Sequence, residues 1–444
     1  RVAKPDCADL PYYLRAYFAF KMGLPFGYAK CTRGGGGKPP RCPQWWNIVK
    51  QERPEDGREE RQTASNSLFG IFEGDSKKAS QSLPEKSTGL VPAFAYFLQT
   101  TLSNAVHSGS GRTVASDDNT DYYPVSLKQD TLRPGTIYAD PYGHILVLVR
   151  RVPQTADAAG IFLAVDGQPD GTVARKRFWR GNFLFADDPA LGSPGFKRFR
   201  PVVADSRGSL RRLTNREIEQ NADYADVSLD QASLKVEAFY DRMDDVMSPD
   251  PLDPMRAMRD TITSLEEQVV TRVTSVENGR KYLAKGGGVA TMPDGASIFE
   301  TTGAWEDFAT PSRDLRLLIA IDVVRNFPER VVRRPERYAM PKEKSAADVR
   351  TELEATLATE LAARKFTYTR TDGSSWQLAL KDVVERMPNL EMAYNVNDCV
   401  ERRWGAVDGS EELKTCKNRA PEAQRAKMAK YRTWFHERRR PPRG

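Results

Sequence analysis

Histidine and cysteine are scarce in this sequence: it has 3 histidines, 5 cysteines and no C-x-x-C pair. Structural zinc sites draw their ligands from those residue types at short spacing, so a bound metal is not expected, and nothing in the sequence calls for a cofactor. Long apolar runs are lacking as well. The richest, HILVLVR at 144–150 and LRLLIAIDVV at 315–324, have the lengths of a core strand and a core helix. A membrane-spanning helix takes roughly 18 or more apolar residues, so no transmembrane segment is expected. There is no fixed-period repeat. The run GGGGKPP at 34–40 has no Ser or Thr after its lysine, which argues against a phosphate loop and for a flexible lip. The chain opens at Arg1 with neither methionine nor an apolar leader, which suggests that a leader or another preceding segment was removed without telling which.

The composition does establish a globular protein. With 444 residues, 39% of them hydrophobic, the chain can bury more than one core. A net charge of +7 fits an anionic partner such as cell wall, lipid headgroup or nucleic acid, without choosing among them. The basic end at 425–444 reads as solvated charge or as attraction to an anionic wall or membrane. Nucleic acid is not expected there, because aromatic interleaving is limited to Tyr431, Trp434 and Phe435.

Cysteine spacing is more informative than cysteine number. Cys31 and Cys42 bracket TRGGGGKPPR, and Cys399 and Cys416 bracket VERRWGAVDGSEELKT. Loops of that length close as disulfides in an oxidising compartment, which points to a periplasmic or secreted protein; the alternative is five reduced cysteines. Pairing those four leaves Cys7 alone.

Residues 1–205 mix helix and strand signals, and 206–444 are mostly helical. Asp6 can cap a helix that carries Leu10, Leu14, Tyr17 and Phe18 and stops at Gly23. A further helix is expected at VPAFAYFLQTTLSNAV, and strands on either side of ADPYG, at GIFLAVDG and through RKRFWRGNFLF. In the second part, helices are expected within 228–247, 254–276, 310–327 and 345–366, with Thr310 as a cap and Pro311 at the first helical position. KGGGVATMPDGASIFETTGAWEDFA reads as an irregular insertion.

Cys7 lies in a first helical turn, where unpaired N–H groups and the helix dipole favour a thiolate. A base must reach it. His436 sits among arginines and His107 beside SGSGRT, both suited to surface roles, whereas His144 begins a strand that is apolar on both faces. Placing HILVLVR antiparallel to GIFLAVD sets His144 opposite Asp166; a shift of two residues nominates Gln168 or Ala164 instead. Asp166 is therefore the first choice as orienting group and Gln168 the reserve, the other reading of either being a hairpin-turn residue. Trp45, Trp46 and Tyr142 are candidate substrate contacts, core packing being the other reading of the tryptophans.

The sequence Asp6-Cys7-Ala8-Asp9-Leu10, with Gly143-His144 opening a strand and GLPFG after the cysteine helix, resembles the NlpC-type cell-wall peptidases of the papain-like superfamily. Ala8 and Asp9 stand where that family has Ser-Gly, and the Cys-to-His spacing is about twice the usual one, implying an insertion at about 30–130. The resemblance covers the first 200 residues or so and implies a papain-like domain over 1–205 with a central antiparallel sheet; with the mostly α-helical accessory domain that the helix signals place over 206–444, the expected fold class is α+β. It implies Cys7 as nucleophile, His144 as base, Asp166 as third member, and peptidoglycan stem peptides as substrate. An acyltransferase using the same dyad, or an inactive wall-binding scaffold, would carry the same residues.

Overall fold

The computed structural model describes residues 4–50, 89–168, 171–300 and 303–441. The chain forms two compact units, one of Arg1–Arg151, Phe162–Arg177 and Phe185–Met243, the other of Val152–Ile161, Phe178–Leu184 and Asp244–Gly444. The boundary expected near 205 falls inside the first unit. That unit runs on to Met243 because helix α3 (Val236–Met247), numbered below in chain order, stacks Phe239 on Phe185 with centroids 3.9 Å apart and offers the Tyr240 hydroxyl to the Phe185 N–H.

Helix α1 (Asp9–Met22) forms where the sequence places it. The Asp6 carboxylate accepts the N–H groups of Ala8 at 2.8 Å and Asp9 at 2.9 Å, which satisfies two of the donors that every helix start leaves open. Gly23, at φ +64°, ends it in the left-handed conformation that a side chain resists. A hairpin of β1 (Gly27–Lys30) and β2 (Gln44–Asn47) follows. Helix α2 (Leu90–Tyr96) then widens into a π-turn over Phe97–Leu102. The Thr100 hydroxyl donates to the Tyr96 carbonyl and the Ser103 hydroxyl to that of Gln99, so side chains share the carbonyls an undistorted helix would keep for its backbone.

The sheet is six-stranded and antiparallel, in the order β3-β8-β4-β5-β6-β7. Its strands are β3 (Tyr122–Pro124), β4 (Ile137–Ala139), β5 (Ile145–Val152), β6 (Ile161–Gly167), β7 (Val173–Arg177) and β8 (Gly195–Phe199). Tyr12, Tyr13, Ala16 and Ala19 of α1 bury one face with Tyr122, Ile137, Ile145 and Val147. Tyr138, Phe196, Phe185 and Phe239 gather in a second aromatic group. Each such side chain stabilises the unit by roughly 1.5–3 kcal/mol through burial alone. The strand expected through RKRFWRGNFLF ends at Arg177, and Phe178–Leu184 belongs to the other unit. A short hairpin, β9 (Val202–Ala204) with β10 (Leu210–Arg212), completes the strands of this unit.

In the second unit, α4 (Pro254–Ala284) is capped by the Asp253 carboxylate, which accepts the Arg256 N–H at 2.7 Å. It packs Met258, Ile262, Leu265 and Val269 into one core with Leu315, Leu318 and Ile321 of α5 (Pro311–Arg325). Within that core Arg272 and Asp314 form a bidentate pair at 2.9 and 2.7 Å. Thr310 precedes α5 as expected but does not cap it with its side chain; its hydroxyl accepts from the buried Arg403 instead. Helix α6 (Ala346–Ala363) starts in a Ser345–Asp348 capping box and stops before Arg364. The residues beyond it form a hairpin, β11 (Lys365–Thr369) and β12 (Ser375–Ala379), inside a region expected to be helical. The last helix is α7 (Glu422–His436). Carboxylates meet its arginines and those after it: Arg432 pairs with Glu391 at 2.7 Å, Arg438 with Asp322 at 2.6 Å and Arg439 with Glu437. The tail therefore presents less unbalanced positive charge than its sequence suggests.

Candidate active site

Cys31–Cys42 and Cys399–Cys416 are disulfides, and Cys7 is a free thiol, half-buried. The first disulfide ties the strand end after β1 to the residues before β2, closing the glycine-rich loop, in which Gly34, Gly36 and Gly37 all adopt positive φ. Cys399 and Cys416 lie near the carboxylate of Glu401, a grouping of metal-ligand type, but the disulfide occupies both sulfurs. Glu401 is engaged instead by the Thr371 N–H and the Thr371 hydroxyl.

Cys7 sits in the turn that Asp6 organises just before α1, and its thiol faces the Gly143 carbonyl, Sγ to O 3.5 Å. Gly143 belongs to the tight turn joining β4 to β5. The turn is held by the Asp140 carboxylate accepting the Tyr142 N–H at 2.7 Å and by the Asp140 N–H donating to the His144 carbonyl at 2.8 Å. Gly143 adopts φ +121°, which only glycine accommodates without strain. This turn delivers His144 to the mouth of β5 beside the thiol.

The His144 ring points its Nδ1 at Asp166 Oδ1, 3.4 Å away on the neighbouring strand β6. Gln168 does not take the place of Asp166. Its side-chain amide donates to Asp166 Oδ2 at 2.9 Å, fixing the carboxylate from behind. Burial pushes the His144 pKa down, but hydrogen bonds to Asp166 and the Cys7 sulfur, with both of their charges, outweigh it and raise the value to about 10. The ring remains 38% exposed, so water moderates this pull. For Asp166, burial raises the pKa, while the hydrogen bond and charge of His144 with Lys176 and Gln168 overcome it and leave it below the usual carboxylate value.

Three further residues, Asp9, Gly167 and Gly171, shape the Cys7 turn and are not among the site residues expected from the sequence. Asp9 is buried at the start of α1, and its carboxylate accepts the Asp6 N–H at 3.5 Å. Burial, together with the Asp6 charge, raises its pKa to about 7 despite the hydrogen bond from the backbone N–H of Asp6. Gly167 and Gly171 bring the end of β6 and the loop after it against the Asp6 carbonyl and the Lys4 side chain. The signal for the glycines was present in DGQPDG, read only as a turn.

The other histidines are elsewhere. His107 accepts the Gly109 N–H on Nδ1, so Nε2 carries the proton and donates to the Cys31 carbonyl at 2.6 Å. It braces the disulfide loop. His436 meets Glu391 at 3.0 Å. Trp45 and Trp46 lie on β2, with Arg212 over the Trp45 ring at 5.1 Å and Lys50 over Trp46 at 5.7 Å. Trp45 packs on Ala29 and the Cys31–Cys42 disulfide, and Trp46 on the α1 core, which are the contacts of packing residues. Tyr142 is in the turn beside Gly143. Among the described residues, no helix is long and apolar enough to cross a membrane.

Compared with protein families, curated proteins and solved structures, the chain matches none of them.

Proposed function

We propose that this chain is a cysteine hydrolase that cleaves an amide bond in a peptide, with Cys7, His144 and Asp166 in line and a papain-like arrangement of helix and sheet. The observation that carries this reading is convergence. A free thiol in the turn before α1, an imidazole 137 positions away in sequence and a buried carboxylate on the next strand meet in one place. Nδ1 of His144 faces the carboxylate, which leaves Nε2 for the thiol proton.

The Cys7 thiolate, paired with the His144 imidazolium, attacks the carbonyl carbon and forms the S–C bond as the carbonyl electrons move onto oxygen. The N–H groups of Ala8 and Asp9 are taken by Asp6, and the backbone N–H of Cys7 is the donor this reading assigns to that oxyanion. His144 gives its proton to the amine as the C–N bond breaks. Water, deprotonated by His144, then releases the acid from the thioester. Asp166 keeps the ring oriented throughout and stays ionised. By its resemblance to NlpC-type peptidases the substrate is a peptidoglycan stem peptide, and the two disulfides suit a periplasmic or secreted enzyme.

The test is digestion of purified cell wall by the native chain and by Cys7→Ala, with products weighed by mass spectrometry. The expected result is peptide release by the first alone. Release that survives in Cys7→Ala overturns the assignment. An added amine recovered as a new amide would identify transfer in place of hydrolysis.

A further inference from the structure

Helix α1 is apolar on its outer side as well as its inner one. While Tyr12, Ala16 and Ala19 face the sheet, Leu14, Tyr17, Phe18 and Met22 face solvent, Phe18 at 56% exposure and Met22 at 66%. A helix of that kind ordinarily has a second apolar neighbour. The exposed surface continues beyond it. Phe20 stacks on Phe94 of α2 at 4.4 Å, and α2 begins with Leu90, 78% exposed. The Ile48 N–H donates to the Phe26 carbonyl at 3.1 Å, which places the exposed Ile48–Val49 bend beside the end of α1. Isolated apolar side chains on a surface need no explanation, but a joined set of this extent does.

Charge selects the occupant. Residues 10–50 contain seven Lys and Arg and no Asp or Glu, and residues 89–116 contain no acidic residue either. Lys21, on the exposed side of α1, and Lys50, at the bend, are both exposed among these apolar side chains. We infer that this face of the first unit docks on a bilayer surface bearing anionic phospholipid, with Tyr17, Phe18 and Met22 entering the headgroup–acyl boundary and Lys21 and Lys50 meeting lipid phosphates. Aromatic and aliphatic side chains ringed by lysine are the chemistry of interfacial helices. A second copy of the chain fits less well. An isologous contact sets each patch against itself, and the charged side chains of this face among the described residues, Lys21 and Lys50, are both positive and repel their own image. The inference stands on this surface alone and does not depend on the chemistry assigned to Cys7.

The experiment is flotation of the full chain with vesicles of phosphatidylglycerol mixed with phosphatidylcholine, and with phosphatidylcholine alone, at low ionic strength. Binding is expected to the mixed vesicles and to weaken with added salt. Phe18→Ser with Met22→Ser should lower affinity by about tenfold or more, from the apolar surface lost. Lys21→Gln with Lys50→Gln should remove most of the preference for the anionic vesicles, about an order of magnitude. These side chains are exposed, and an unchanged melting temperature certifies the fold of each variant. No flotation with the mixed vesicles overturns the inference, as does equal flotation of native chain and Phe18→Ser/Met22→Ser. A dimer in sedimentation velocity that those same substitutions dissolve, without vesicle binding, assigns the face to a second copy and overturns it too.

Discussion

Gly167, the last residue of β6, lies so close to Asp6 that a Cβ at Gly167 would stand 2.4 Å from the Asp6 carbonyl oxygen. This contact seats the strand that carries Asp166 against the turn that carries Cys7, and so joins two parts of the site through backbone alone. Gly167→Ala must push them apart. Its expected cost is about 1–3 kcal/mol of stability, as in other overpacked interiors. Alkylation of Cys7 should also slow. Native rates and native stability in this variant would mean that the contact positions nothing.

The imidazole should titrate far above its ordinary value, with the Asp166 carboxylate as the leading cause and the Cys7 sulfur adding to it. His144 is raised to about 10 from 6.5. A raised histidine stabilises the fold fully below 6.5 and loses that contribution as pH rises through about 10. Asp166, lowered from 3.8, contributes stability above that value and loses it as pH falls through its folded pKa. NMR of the His144 ring should therefore show a titration that moves towards 6.5 in Asp166→Asn. Gln168→Ala, which frees Asp166 Oδ2 but leaves its charge, should move it less. Equal midpoints in native and Asp166→Asn chains would remove Asp166 from the site.

Asp9 should make the folded chain more stable in acid than at neutral pH. With its folded pKa near 7 and its ordinary value 3.8, the folded chain holds the extra proton between those limits. Stability falls as pH climbs through that window and is level above it. Asp9→Asn removes the charge and should raise stability at pH 8 by on the order of 2 kcal/mol while leaving it nearly unchanged at pH 4. Paired denaturation curves at the two pH values check this, and a uniform shift at both would contradict the burial of an ionisable Asp9.

One reactive thiol is expected in the denatured, unreduced chain, and peptide mapping should place it at Cys7. Replacing Cys31 and Cys42 together by Ser should cost about 3 kcal/mol in unfolding experiments. His107→Ala should lower stability further only while the disulfide loop is closed, because its bond is to the Cys31 carbonyl. Additive losses in the triple variant would show that His107 acts elsewhere.

Local chemistry made part of this molecule readable. The Gly23 stop and the Pro311 start each depend on neighbours within a few residues, and each lies where the sequence puts it; Asp6 ties down the Ala8 and Asp9 N–H groups, while the N-cap position itself falls two residues later, at Ala8. The two disulfides follow from short loops for the same reason. The β11–β12 hairpin was missed because KFTYT directly continues the helical pattern of α6, and the alternation that marks a strand occupies only five residues. Thr310 failed as a side-chain cap because Arg403, 93 positions away, claims its hydroxyl.

The candidate site shows the same division. Sequence put Cys7 in a first helical turn, whereas the thiol lies in the turn just before α1. Sequence alone determined that Cys7 is the cysteine left over and that His144 opens an apolar strand. Only the tertiary structure decided that the two meet, that Asp166 lies by the ring with Gln168 behind it, and that Trp45 and Trp46 pack elsewhere. A helix cap is settled by bonds across three or four residues. The register that joins two strands, and the glycine that lets a strand touch a distant turn, are settled by the packing of the whole sheet.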